Sequence, residues 1–133
     1  YVINSNNGSI IYKFNYNSIV KPLMVNNFLF SLTKNGLLIS MNLDNGKIIY
    51  SYDINQKIAN FFNVKKKLVS AKDIHIADDK ILIFLNNSYL LKFDIYGNLQ
   101  SVNKLPAKLN TSPIFIDKFL LYLDYKNKIS IVN

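Results

Sequence analysis

Two stretches of this chain recur at fixed offsets, and that recurrence limits the folds open to it more than any other feature. Asn4-Ser5-Asn6-Asn7-Gly8-Ser9-Ile10-Ile11-Tyr12 lines up with Asn42-Leu43-Asp44-Asn45-Gly46-Lys47-Ile48-Ile49-Tyr50 at an offset of 38. Pro22-Leu23-Met24-Val25-Asn26-Asn27-Phe28-Leu29-Phe30-Ser31-Leu32 lines up with Pro113-Ile114-Phe115-Ile116-Asp117-Lys118-Phe119-Leu120-Leu121-Tyr122-Leu123 at an offset of 91. A middle copy, Asp73 to Leu85, fits between them with one or two extra residues in its turn.

Within a copy, short apolar runs are punctuated by turn residues. Asn35-Gly36 and Asn45-Gly46 read as the tips of two-residue hairpins, because Asn and Gly tolerate positive φ. Strands are expected near 20–25, 28–33, 37–42 and 47–53, then near 73–77, 81–86, 89–94 and 99–103. Four short strands in a period of about forty residues imply a β-propeller or related array. One four-stranded blade has two apolar faces and must stack against sister blades to bury them. A β-sandwich or a barrel also uses many short strands, but neither requires a repeat. The expected class is all-β, a propeller with about three blades present. It divides into a blade end at 1–17, a blade at 18–54, an insertion at 55–67, a blade at 68–105 and a partial blade at 106–133. The chain starts at Tyr1, and Ile131-Val132-Asn133 matches Val2-Ile3-Asn4 in phase. The expectation is therefore a piece of a larger propeller, able to self-associate through open blade faces.

Composition narrows the functions. All 16 basic residues are Lys and all 8 acids are Asp, for a net charge of +8. The lysines are spread along the chain, with Lys65-Lys66-Lys67 the one dense run. Arginine, which reads phosphate and guanine bidentately, is absent. Solubility and protection of strand edges explain the charge better than a specific nucleic-acid partner. With no cysteine, disulfides, thiolate zinc sites and a Cys nucleophile are excluded. There is no apolar run of membrane-spanning length.

No catalytic, cofactor or metal constellation stands out. The single histidine, His75, alternates with Ile74 and Ile76 and reads as a strand-surface residue. Asp78-Asp79 read as turn residues, and no glycine belongs to a phosphate-cradling loop. Asn4, Asn42, Asp94 and Asn133 share one position before a turn, where a short polar side chain can accept backbone N–H bonds. Tyr12 and Tyr50 are equivalent and are expected to pack between blades. The 55–67 insertion breaks the period. Its Ile58, Phe61 and Phe62 suggest one face of a short helix. Phe61, Phe62, Lys65, Lys66 and Lys67 are the candidate partner contacts, against the plainer reading of a loop that folds its aromatics under itself.

The repeat unit Leu37 to Tyr50, with a strand ending in Asn, a Gly turn and an apolar strand carrying an aromatic, resembles the PQQ-like β-propeller repeat. That family usually has Trp in the last strand; here Tyr12 and Tyr50 stand there, with Val102 or Gln100 in the weaker copy. The resemblance implies one of two things. The nearer is a non-enzymatic scaffold like the propeller lipoprotein of outer-membrane β-barrel assembly, located in the periplasm and docking a membrane assembly component through its loops. The other is a fragment of a quinoprotein (PQQ-dependent) dehydrogenase, whose quinone and calcium ligands find no match among these residues.

Overall fold

The computed structural model describes residues 1–117 and 119–132. Among these residues thirteen strands form four antiparallel sheets, with one helix between the second and third. The first sheet pairs β1 (Val2–Ile3) with β2 (Ile10–Tyr12). The second is the meander β3 (Leu23–Val25), β4 (Phe28–Leu32), β5 (Leu37–Asn42) and β6 (Ile48–Asp53). Helix α1 (Ile54–Phe62) follows it. The third sheet holds β7 (Ala71–Ala77), β8 (Lys80–Leu85), β9 (Tyr89–Asp94) and β10 (Leu99–Lys104). The fourth holds β11 (Ile114–Ile116), β12 (Phe119–Leu123) and β13 (Ile129–Val132).

The third sheet is buried on both faces, and strand β8 shows how. Ile81, Ile83 and Leu85 join Phe30, Leu32 and Leu38 in one apolar cluster against the second sheet. Leu82 and Phe84 join Leu120 and Tyr122 in another against the fourth. A near-continuous apolar run, KILIFL, is what a strand with two buried faces requires. This is blade-on-blade stacking: an all-β, partial β-propeller.

The turns explain the repeats. The last strand of each of the first three sheets carries a bulge at the same place, after Ile10, Ile48 and Leu99, so Ile11, Ile49 and Gln100 are skipped in the pairing. Past the bulge, the residue equivalent to Tyr12 and Tyr50 is Ser101, paired with Lys92. That corrects the expected Val102 or Gln100. Before the turn, Asn4 Oδ1 accepts the Asn6 N–H and Asn42 Oδ1 accepts the Asp44 N–H. Asp94 Oδ1 accepts both the Tyr96 and the Asn98 N–H. The repeated Asn or Asp is thus a turn acceptor; Asn133 lies outside the described residues.

Two local expectations change. The Asn-Gly tips are not two-residue turns with positive φ at both positions, since Gly36 (φ 78) and Gly46 (φ 69) are left-handed while their asparagines are not. Asn35-Gly36 closes a longer loop, in which the Gly36 N–H donates to Thr33 O and the Thr33 N–H to Leu37 O. Asn45-Gly46 ends a four-residue loop, with the Gly46 N–H donating to Asn42 O and the Asn42 N–H to Lys47 O. The middle copy also has no extra residue in its first turn. Val25↔Phe28, Ala77↔Lys80 and Ile116↔Phe119 each leave a two-residue connection. Asp78 and Asp79, both at positive φ, supply it.

The meander sends successive connections to opposite rims. At one rim, the Leu43 N–H reaches Asn27 O, and Asn27 Nδ2 reaches Asp44 Oδ1 at 2.8 Å. At the other, the Ile54 N–H meets Gly36 O at 2.9 Å, so α1 starts beside the β4–β5 turn. We refer to these as the far rim and the helix rim.

Candidate functional site

Helix α1 is short and is held by its ends. Asp53 caps its N-terminus, accepting the Asn55 N–H at 2.9 Å and the Gln56 N–H at 3.1 Å. Lys66 pairs with the other oxygen of the same carboxylate. Partial burial works to raise the Asp53 pKa, but the Lys66 ammonium and the two backbone donors together hold it below the ordinary value. At the C-terminus, Asn63 adopts the left-handed conformation (φ 52), and the Val64 N–H returns to Ala59 O. The helix buries Ile54, Asn55 and Ala59. Asn55 matters most: its Oδ1 accepts the Val69 N–H at 3.0 Å and ties the helix to the chain entering β7.

Between α1 and the third sheet lies a cleft of about 500 Å³. Ile58, Phe62, Val64, Val69, Tyr89 and Val102 make its apolar lining, and Lys65 and Lys67 stand at it. The candidate contacts therefore part company. Phe62, Lys65 and Lys67 come together at the cleft. Lys66 is engaged in holding the helix cap. Phe61 stands outside the lining, packed edge-on against Phe62 at 5.3 Å. Helical spacing sets 61 and 62 on either side of 58, about 100° apart round the axis, and the side that faces the cleft is that of 58 and 62. Nor are the aromatics folded under: Phe61 is 49% exposed and Phe62 48%. Asn55 was missed in the sequence, because a polar residue after a strand reads as loop until its buried partner is known.

His75 also differs from expectation. It is half-buried at the seam between the third and fourth sheets, with its ring 5.8 Å from Phe84 and 5.3 Å from Phe115. Its Nε2 is 3.2 Å from Asp73 Oδ2. His75 does face away from Ile74, but that face of the strand is covered by another blade. Tyr50 packs as expected: its hydroxyl donates to Ile95 O in the next sheet at 3.1 Å, and burial holds the phenol well above its ordinary pKa. Among the described residues no three His, Cys, Asp or Glu side chains gather as a metal site. No helix among them is long and apolar enough to cross a membrane.

With stacked four-stranded sheets and loop-borne apolar surface, the molecule has the form of propeller blades, and solved structures agree. BamB from Moraxella catarrhalis superimposes with a TM-score of 0.73 at 11% identity, over 97% of this chain and 35% of that one. The computationally designed Ika4 protein gives 0.56 at 12%, over 84% of this chain and 62% of that one. Quinohemoprotein alcohol dehydrogenase from Comamonas testosteroni gives 0.56 at 10%, over 80% and 17%. The resemblance to PQQ-like propellers is thus a likeness of fold, and the chain spans about a third of the length of BamB. No family model and no curated protein sequence matches it.

Proposed function

We propose that this chain is a non-enzymatic protein-interaction scaffold whose blades present α1 and the 63–67 segment to a partner protein. The observation that carries the reading is the half-exposed Phe61–Phe62 pair beside an apolar cleft. Exposed aromatics on a surface fixed by a rigid fold are the features that anchor protein interfaces. Phe61, Phe62, Lys65 and Lys67 make the contacts, and Lys66 holds the surface in shape. The resemblance of the repeat favours a periplasmic setting and a membrane β-barrel assembly component as the partner.

A photo-crosslinking residue placed at Phe62 in cells is expected to trap a discrete protein, while the same residue at Tyr96 on the far rim is not. Equal trapping from both positions, or none from Phe62, would count against the scaffold. The dehydrogenase alternative makes a different demand. Calorimetric titration with pyrroloquinoline quinone and calcium is expected to give no saturable heat, and a saturable one would favour that alternative. Self-association belongs to another surface. Ile114, Ile116, Ile129 and Ile131 form an exposed apolar row on the fourth sheet. Sedimentation is expected to show concentration-dependent association that Ile129→Lys reduces.

A further inference from the structure

Lysines scattered along the sequence gather at one rim of the fold. Helix α1, the β4–β5 and β12–β13 turns, the start of β7, the end of β10 and the connections into β3, β7 and β11 carry twelve of the sixteen. The acids of that rim are already used. Asp53 caps α1, Asp124 accepts the Lys126 and Lys128 N–H groups in its own turn, and Asp73, beside Lys72 at the start of β7, accepts the Ile74 N–H and lies 3.2 Å from His75 Nε2. The far rim has the opposite balance: Asp44, Asp78, Asp79, Asp94 and Asp117 lie in its turns or at their edges, with Lys47, Lys80 and Lys92 as its described cations. Charge spread evenly for solubility would not sort in this way.

The cleft repeats the pattern at short range. Its walls are apolar, its cations are Lys65 and Lys67, and no carboxylate lines it. Asn55 and Asn87 are its neutral polar members. Nearby, Lys72 and Lys108 lie over the ring of the exposed Tyr125, at 5.3 and 4.6 Å, and extend the positive surface to the fourth sheet.

We infer that the cleft binds an acidic peptide segment, which inserts an apolar side chain beside Ile58 and Phe62 and sets its carboxylates against Lys65 and Lys67. This rests on the scaffold reading and specifies the partner's chemistry. Lysine heads on flexible stems suit carboxylates arriving in many geometries. A nucleic-acid surface would use the planar fork of arginine, which this chain lacks.

The test is fluorescence anisotropy with a labelled peptide of aspartates and glutamates around a central Leu-Phe, beside a lysine-substituted peptide of the same length. The acidic probe is expected to bind and the basic one not, with affinity falling as sodium chloride rises from about 0.05 M to about 0.5 M. Lys65→Glu with Lys67→Glu is expected to weaken binding by about tenfold or more. Phe62→Ser is expected to weaken it in a salt-independent way, and Lys47→Glu on the far rim to leave it unchanged. Lys66 is left in place because it holds Asp53, and circular dichroism verifies that each variant is folded. Equal binding of both peptides, or indifference to the Lys65 and Lys67 changes, would overturn the inference. So would binding of single-stranded DNA or phosphatidylglycerol vesicles in place of the acidic peptide. If the Phe62 crosslink persists while the acidic probe fails, the chemistry is wrong and the scaffold stands; if both fail, both fall.

Discussion

Glycine and tyrosine meet at the seams between sheets. A Cβ added to Gly46 would stand 2.6 Å from the Tyr12 ring, and one added to Gly97 would stand 2.6 Å from Tyr52 and 2.9 Å from Tyr50. Gly8, with a similar φ of 72, has nothing within 4 Å. Gly8→Ala should therefore cost only the left-handed backbone penalty, about 1 kcal/mol. Gly97→Ala should cost more, about 2–4 kcal/mol, because the rings must also move. Urea denaturation of the two variants measures the difference, and equal losses would show that the ring contact contributes nothing. Asp94 gives a pH prediction at the same scale. Slight burial works to raise its pKa, but the Asn98 and Tyr96 donors and Lys80 hold it below the ordinary 3.8. A carboxylate depressed in the fold contributes stability above its unfolded pKa and loses it as pH falls through the folded one. Stability should thus drop on acidification below about 4. Asp94→Asn, which keeps the turn acceptor as Asn4 and Asn42 do, should soften that drop in thermal melts across pH. The turn acceptors were legible in the sequence because their chemistry is local. His75 was not, because its covering ring, Phe115, comes from another repeat.

At the scale of elements, α1 depends on one buried amide. Replacing Asn55 by Ala would leave the partly buried Val69 N–H without its acceptor and should cost about 1–2 kcal/mol. Asp53→Ala removes the cap and the Lys66 partner at once. Hydrogen exchange should then show α1 opening while β8 and β9 stay protected, since the helix stands at the edge of the sheets. Global exchange at one rate would overturn that separation. Strand boundaries were readable to within a few residues, because alternation and turn residues set them. The helix was readable only as a broken period with aromatic spacing. Which aromatic faces inward depends on the start at Ile54, and that start is fixed by Asp53 and the Gly36 carbonyl.

Across the whole molecule, the repeat sufficed to give stacked blades, since one sheet cannot cover its own two faces. Charge was the least legible feature. The eye follows lysines along the chain, whereas the meander sends alternate turns to opposite rims and so sorts residues that look interspersed. A dipolar molecule of this kind should be retained more strongly on a cation exchanger when oriented by its helix rim. Lys65→Glu with Lys67→Glu should advance its elution more than Lys47→Glu with Lys80→Glu, although both pairs change net charge equally. The seams described above have a direction as well. Tyr12 of the first sheet leans on the turn of the second, and Tyr50 and Tyr52 of the second lean on the turn of the third. The first and second sheets are each thereby keyed into their successor, like courses of stone in which one block bears on the next, while the third carries Ser101 at that position. Damage to one key should loosen the following sheet and leave the one before it undisturbed, so the order in which sheets open is written into the asymmetry of a single aromatic position.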